Sequence, residues 1–225
     1  MFTTCEIKTN LIFIRSFLKL IRMNYLAHLF LSGDDEQTMV GNFIGDYIKG
    51  KDLNRFPDNI RKGITMHRQI DVFTDTHPKF REAKTYFRPE FGLYSGIIID
   101  FLYDHFLAKN WNAYSDFTLR NFTKRSHAVL LKNFRHLPAR VQGFLPFLIQ
   151  NRRLESYASV TGIVEALKIM SKYTSLPAKA DFVLREIEAN YPFFEYNFKT
   201  FMFDMICYVN EKHGMELKNP DFATL

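Results

Sequence analysis

From residue 23 onward, apolar positions recur at intervals of three and four, and the rhythm breaks at Gly, Pro and short polar runs. Side chains three and four apart share one face of a helix, so the pattern predicts helices. Asp34 or Asp35 caps a helix through Met39, Phe43, Ile44 and Ile48, which Gly50 ends. After a loop holding Pro57, a helix over residues 60–73 carries Ile60, Ile64, His67 and Asp71 on one stripe. Pro78 opens a short helix through Phe87, stopped by Arg88-Pro89. Residues 94–111 form a strongly apolar helix, and residues 119–134 an amphipathic, basic one. Pro138 and Pro146 punctuate the stretch that follows. Three more helices are predicted over residues 153–170, 178–190 and 193–213, with a frayed tail after Gly214. No span alternates β-branched and polar residues convincingly. The predicted fold is all-α, a single-domain helical bundle without repeats or an internal linker.

Composition narrows this picture. The 225 residues fit one domain with a sizeable core, and 47% hydrophobic content favours a globular fold. The net charge of +6 favours an acidic partner without choosing among nucleic acid, membrane surface and protein. No Lys/Arg run reads as a nucleic-acid tail. The only cysteines are Cys5 and Cys207, so a disulfide framework is not expected, and a reducing cytoplasm fits. A thiolate zinc site is excluded for want of Cys-x-x-Cys. The apolar run from Leu11 to Ile21 is interrupted by Arg15, Ser16 and Lys19 and is too short to span a membrane. Residues 1–22 therefore read as an extension, or as a start placed too early, ahead of a domain over 23–214 and a tail over 215–225.

Four segments then stand out: Asn24-Tyr25-Leu26-Ala27-His28-Leu29, Gly41-Asn42-Phe43-Ile44-Gly45-Asp46, His67-Arg68-Gln69-Ile70-Asp71 and Asp100-Phe101-Leu102-Tyr103-Asp104-His105. Charged and imidazole groups in apolar sequence are costly to bury unless they pair or bind a metal. His67 and Asp71 are four apart, as are Asp100 and Asp104, so each pair projects from one helix face. Two carboxylates on adjacent turns repel unless a cation or proton lies between them. Each residue alone also reads as a structural pair, a core histidine (His28) or a turn cap (Asp46). Together, Asp100, Asp104 and His105 interrupt a helix that otherwise has no use for ionisable groups. The Phe-rich last helix (Phe193, Phe194, Phe198, Phe201, Met205) reads as core.

At these residues the chain resembles the acyl carrier protein phosphodiesterases, or ACP hydrolases. The matching features are Met23 to Leu29, Gly41-Asn42 through Asp46, Met66 to Asp71 with Asp75, and Asp100 to Leu107 with Trp111. The likeness starts at Met23, is specific up to about Trp111, and continues into the C-terminal helices. That family is related in turn to the HD phosphohydrolases, all-helical enzymes named for an adjacent His-Asp pair. Here the pair reads Asp104-His105, in reversed order, so the wider kinship carries fold class rather than ligands.

The resemblance implies a metal-dependent phosphodiesterase. Its substrate would be holo-acyl carrier protein, its products apo-carrier protein and 4′-phosphopantetheine, and its metal manganese, with magnesium as substitute. Metal binding is assigned to His67, Asp71 and Asp104, then His28 and Asp46. Catalytic roles are assigned among Asp46, His67, Asp71, Asp104 and His105. Arg68, Asn42 and Asp100 are assigned to substrate, Arg68 because its fork matches phosphate oxygens. Carrier proteins are acidic, so the positive balance suits them. Arg61, Lys62, Arg68, Arg81, Lys84 and Arg88 offer one basic set, and Lys124, Arg125, Arg135, Arg152 and Arg153 another. No nucleic-acid partner and no membrane span are expected. The remaining readings are an HD-like phosphohydrolase acting on other phosphodiesters and a non-catalytic basic binding module.

Overall fold

The computed structural model describes residues 25–220, the side chain of Lys51 excepted. The extension predicted over residues 1–22 lies outside the described residues. Those described form helices joined by short turns, with no strand among them.

Helices α1 (Tyr25–Leu31) and α2 (Glu36–Ile44) lead into α3 (Asp58–Thr76). Asp35 caps α2, its carboxylate accepting from the Thr38 N–H at 2.6 Å. The α-helix ends at Ile44, one turn before the predicted Ile48, and a 3-10 turn over Gly45–Tyr47 carries Asp46. Helices α2 and α3 touch backbone to backbone. A Cβ on Gly41 would lie 2.1 Å from the Ile60 carbonyl oxygen, and one on Gly63 would lie 2.2 Å from that of Thr38. This contact brings Asn42 and Asp46 against the stripe of α3 that bears His67 and Asp71.

Helix α4 (Pro78–Phe91) runs one turn beyond its predicted stop, because Pro89 is accommodated inside the last turn. Gly92, at φ 53°, ends it. Helix α5 (Ser95–Lys109) is the hub, and α1, α4 and three later helices pack around it. From Ile98 to Ala108 every residue is buried, so this helix is enclosed on all sides. A short α6 (Trp111–Tyr114) precedes α7 (Leu119–Lys132), which Thr118 caps at Asn121.

The stretch read as punctuated by prolines is in fact helical: α8 spans Ala139–Gln150, with Pro138 just before it and Pro146 within it. The helix predicted over 153–170 is two pieces, α9 (Arg153–Ser156) and α10 (Val160–Tyr173), because Ser159 caps a new start. Helices α11 (Ala180–Ala189) and α12 (Tyr191–His213) complete the chain. Phe194, Phe198, Phe201 and Met205 of α12 are core residues, with Phe201 against Tyr103 and Phe80. After Gly214 the chain is not frayed as far as residue 220. The Leu217 N–H and carbonyl each bond the Asn210 side chain at 2.9 Å, and Met215 packs on the core.

Candidate metal centre

His28 reaches the centre from α1 and is 2% exposed. Its orientation is fixed by Asn42. The Asn42 Nδ2 amide donates to the His28 carbonyl at 2.8 Å and to Ser32 Oγ at 3.0 Å. That leaves Asn42 Oδ1 facing His28 Nδ1 at 2.7 Å. An amide oxygen only accepts, so Nδ1 carries the proton. The Nε2 of a neutral His28 is then a bare lone pair. It points at Asp71 Oδ1, 3.5 Å away, with no hydrogen-bond partner. Burial, then the neighbouring His67, lower the pKa of His28 and favour the neutral ring. Two acceptors thus face each other in a buried site, an arrangement that a cation between them resolves.

His67, on α3, stacks on His28 with ring centroids 4.1 Å apart. Its Nε2 lies 3.4 Å from Asp71 Oδ2 and 3.3 Å from Asp46 Oδ1, yet it has no aligned hydrogen bond. The ring fits only because residue 45 is glycine, since a Cβ there would sit 2.2 Å from His67 Cγ. Burial lowers the pKa of His67, but the Asp46 and Asp71 carboxylates outweigh it and the net shift is upward. Asp71 and Asp46 are half-buried at the rim.

One donor atom each from His28, His67 and Asp71 lies within 4.8 Å of the other two. Donors about 2.1 Å from a common ion sit roughly 3.0–3.4 Å apart in octahedral or tetrahedral geometry. His28 Nε2 lies 3.5 Å from Asp71 Oδ1 and His67 Nε2 lies 3.4 Å from Asp71 Oδ2, near that spacing, and the orphaned nitrogens supply the lone pairs. The residues therefore fit a divalent cation.

Other predicted site residues fall elsewhere. Asp104 is fully buried but turned towards α1. Its Oδ2 accepts from the Leu26 N–H at 3.1 Å and its Oδ1 from the Ala27 N–H at 2.9 Å. It caps the orphan donors of α1 and does not join the cluster. Burial pushes its carboxyl up to about 8, against the pull of those two bonds. His105 diverges around α5 as adjacent helical residues must. Its Nδ1 meets the Tyr157 carbonyl at 2.8 Å and its Nε2 the Tyr191 hydroxyl at 2.9 Å, so both nitrogens are engaged away from the centre. The amide of Asn42, assigned to substrate, is spent inside the protein on His28 and Ser32. Arg68 is exposed and donates to the Ile48 carbonyl at 2.8 Å, tying the Asp46 turn to α3.

Asp100 lines a groove of about 670 Å³ that shares Asp71 with the centre. Asp75 of α3 and Arg81, Lys84 and Arg88 of α4 line it too. Ser32, which completes the Asn42–His28 link, carries no sequence signal of its role, because the three are joined only by packing.

This fold and donor set define a helical domain able to hold a divalent cation beside an open groove. The chain belongs to the acyl carrier protein phosphodiesterase family, which it matches over residues 23–205. It is 36% identical to the acyl carrier protein phosphodiesterase of Yersinia pestis over 80% of this chain and 93% of the relative. It is 32% identical to that of Pectobacterium atrosepticum over 80% and 93%, and 35% identical to that of Salmonella agona over 66% and 78%. No solved structure matches the chain significantly.

Proposed function

We propose that this chain hydrolyses the phosphodiester joining 4′-phosphopantetheine to a serine of holo-acyl carrier protein. Family membership supports the reaction and substrate. The observation that carries its metal-dependent form is the contact of His28 Nε2 with the Asp71 carboxylate, acceptor to acceptor at 3.5 Å.

In this reading His28, His67 and Asp71 hold the cation, and Asp46 borders it. The carboxylate ligands suit manganese or magnesium, and the family resemblance favours manganese. When bound, such a cation offsets charge building on the phosphoryl oxygens and lowers the pKa of an attacking water. Asp46, at the rim, would take a proton from an attacking water, whose oxygen bonds to phosphorus as the bond to the serine Oγ breaks. The serine oxygen leaves with the proton that Asp46 returns to it, which gives apo-carrier protein and 4′-phosphopantetheine. Asn42 keeps the lone pair of His28 turned inwards throughout. The reaction is assigned to the cytoplasm, in keeping with the sparse cysteines. Among the described residues no helix is long and apolar enough to cross a membrane.

The test is incubation with holo-carrier protein and Mn²⁺, followed by intact mass. Conversion to the apo form that is lost in His67→Ala and Asp71→Ala supports the reading. Turnover of a generic diester without conversion of carrier protein would favour the broader phosphohydrolase.

A further inference from the structure

The proposed reaction leaves open where the small-molecule arm of the substrate lies beyond the phosphate. Asp71 lines the groove of about 670 Å³ as well as the metal centre, so a phosphate held at the metal has the groove beside it. That volume is of the order of a small-molecule cleft, about 300–1,000 Å³. The lining carries three acids, Asp71, Asp75 and Asp100, and three cations, Arg81, Lys84 and Arg88. Their formal charges cancel, so the groove selects neither a strongly acidic nor a strongly basic occupant. Phe80 and Ile97 add apolar surface between them.

Arg81, Lys84 and Arg88 are three and four apart and form one stripe of α4. Arg81 is tied down, its Nε donating to the Asp75 carbonyl at 3.0 Å. Lys84 differs. Among the described residues its ammonium has no ion pair and no hydrogen bond, and it lies over the Phe80 ring at 4.8 Å. Its stem reaches across to α5, where a Cβ on Gly96 would lie 3.7 Å from Lys84 Cδ. Gly96 and Asp100 are four apart, so they share a face of α5 and lie about 6 Å apart along its axis. Lys84 therefore crosses the groove about one helical turn from Asp100, which is 7% exposed. An ammonium only donates and a carboxylate only accepts, so a donor and an acceptor stand a turn apart on the groove lining.

The arm of 4′-phosphopantetheine beyond its phosphate is uncharged. It carries two methyl groups, a hydroxyl and two successive amides. Each amide offers a carbonyl to a donor and an N–H to an acceptor. Lys84 and Asp100 supply that complement, the apolar lining receives the methyl groups, and a neutral arm suits a lining whose charges balance.

We propose that this groove holds the pantetheine arm, with Lys84 donating to one amide carbonyl and the Asp100 carboxylate accepting from an amide N–H. The assignment deepens the function proposed above and rests on it. Lys84 and Asp100 then set specificity for the arm, separately from the metal chemistry.

The test is calorimetric titration of the Mn²⁺-loaded protein with 4′-phosphopantetheine and with methyl phosphate, which has the same phosphate and no arm. Wild type binds 4′-phosphopantetheine at least about tenfold more tightly than methyl phosphate. Lys84→Met keeps the apolar stem and Asp100→Asn keeps the shape. Each weakens 4′-phosphopantetheine roughly tenfold and leaves methyl phosphate within about twofold, whereas a merely structural role would move both ligands together. Lys124→Gln, on α7, changes neither. A wild type that binds the two ligands alike or binds neither, or variants that weaken both equally, overturns the assignment. Titration needs no turnover. A wild type that discriminates the ligands but leaves holo-carrier protein intact would therefore count against the proposed function alone, and one that converts holo-carrier protein yet binds both ligands alike would count against the groove alone.

Discussion

His28 Nε2 and the Asp71 carboxylate lie 3.5 Å apart with no hydrogen bond between them, because Asn42 has already fixed the proton of His28 on Nδ1. Lone pair and carboxylate repel unless a positive charge joins them, and the following predictions depend on that relationship.

Asn42→Ala frees the His28 ring to turn and change tautomer. Loss of such an orienting partner typically costs 10–100-fold in metal affinity. A Mn²⁺ titration of Asn42→Ala is expected to fall about in that range. The variant also strands buried polar groups of His28 and Ser32, so chemical denaturation should report a loss of about 1–3 kcal/mol.

Gly45→Ala forces a methyl to within 2.2 Å of His67 Cγ, so the ring or the Asp46 turn must move. Overpacking of this kind costs about 1–3 kcal/mol. The metal affinity should drop well beyond what that modest instability explains, which paired melting and metal titrations would separate.

Protons compete with metal at His67. Its pKa is raised above the ordinary 6.5, so below that value the apo protein holds a proton where the metal would sit. In the apo protein this group's stabilising contribution is full below the unfolded value and fades as pH rises through the folded one. Metal affinity runs the other way and strengthens with rising pH. The rise in Tm on adding Mn²⁺ should therefore grow from pH 6 to pH 8. Saturation at about 100 times Kd corresponds to roughly 2.7 kcal/mol.

Asp104 supports the fold rather than the metal. Asp104→Ala leaves the buried N–H of Leu26 and the part-buried N–H of Ala27 without acceptors, at about 1–3 kcal/mol for the first and less for the second, while Asp104→Asn keeps one acceptor and costs less. The carboxyl titrates at about 8 in the fold against 3.8 in the reference state, so the folded form binds the extra proton. Its contribution is full below about 4 and is lost as pH rises through about 8, with a slope of up to about 1.4 kcal/mol per pH unit. Urea titrations across that window should show the slope in wild type and its loss in Asp104→Asn.

Most of the fold is legible because most helices bury one stripe each, and the period of that stripe marks α3 and α12 plainly, while α5 shows as a long apolar run. Helix α8 was hidden because its prolines sit where a helix tolerates or absorbs them, just before its start and inside its body. The site was legible in part. His67 and Asp71 share a helix, so their spacing alone predicts that they converge. Asp100 and Asp104 have the same spacing, but α5 is buried all round, and a buried acid there can be answered by backbone N–H groups as well as by metal. Nothing along the chain distinguishes the two. His28 stands in the sequence as a lone histidine among apolar residues, because its partners, Asn42 and Asp71, come from two other helices. The α4 stripe was visible as charge, but its place beside Asp71 belongs to the packing of α3, α4 and α5.

The most direct measurement follows the electron paramagnetic resonance signal of free Mn²⁺ as protein is added. Wild type and Asp104→Asn should deplete the signal saturably, and His28→Ala and Asp71→Ala should leave it nearly intact. An undepleted signal with wild type, or equal depletion by His28→Ala and Asp71→Ala, would contradict a metal centre at these residues.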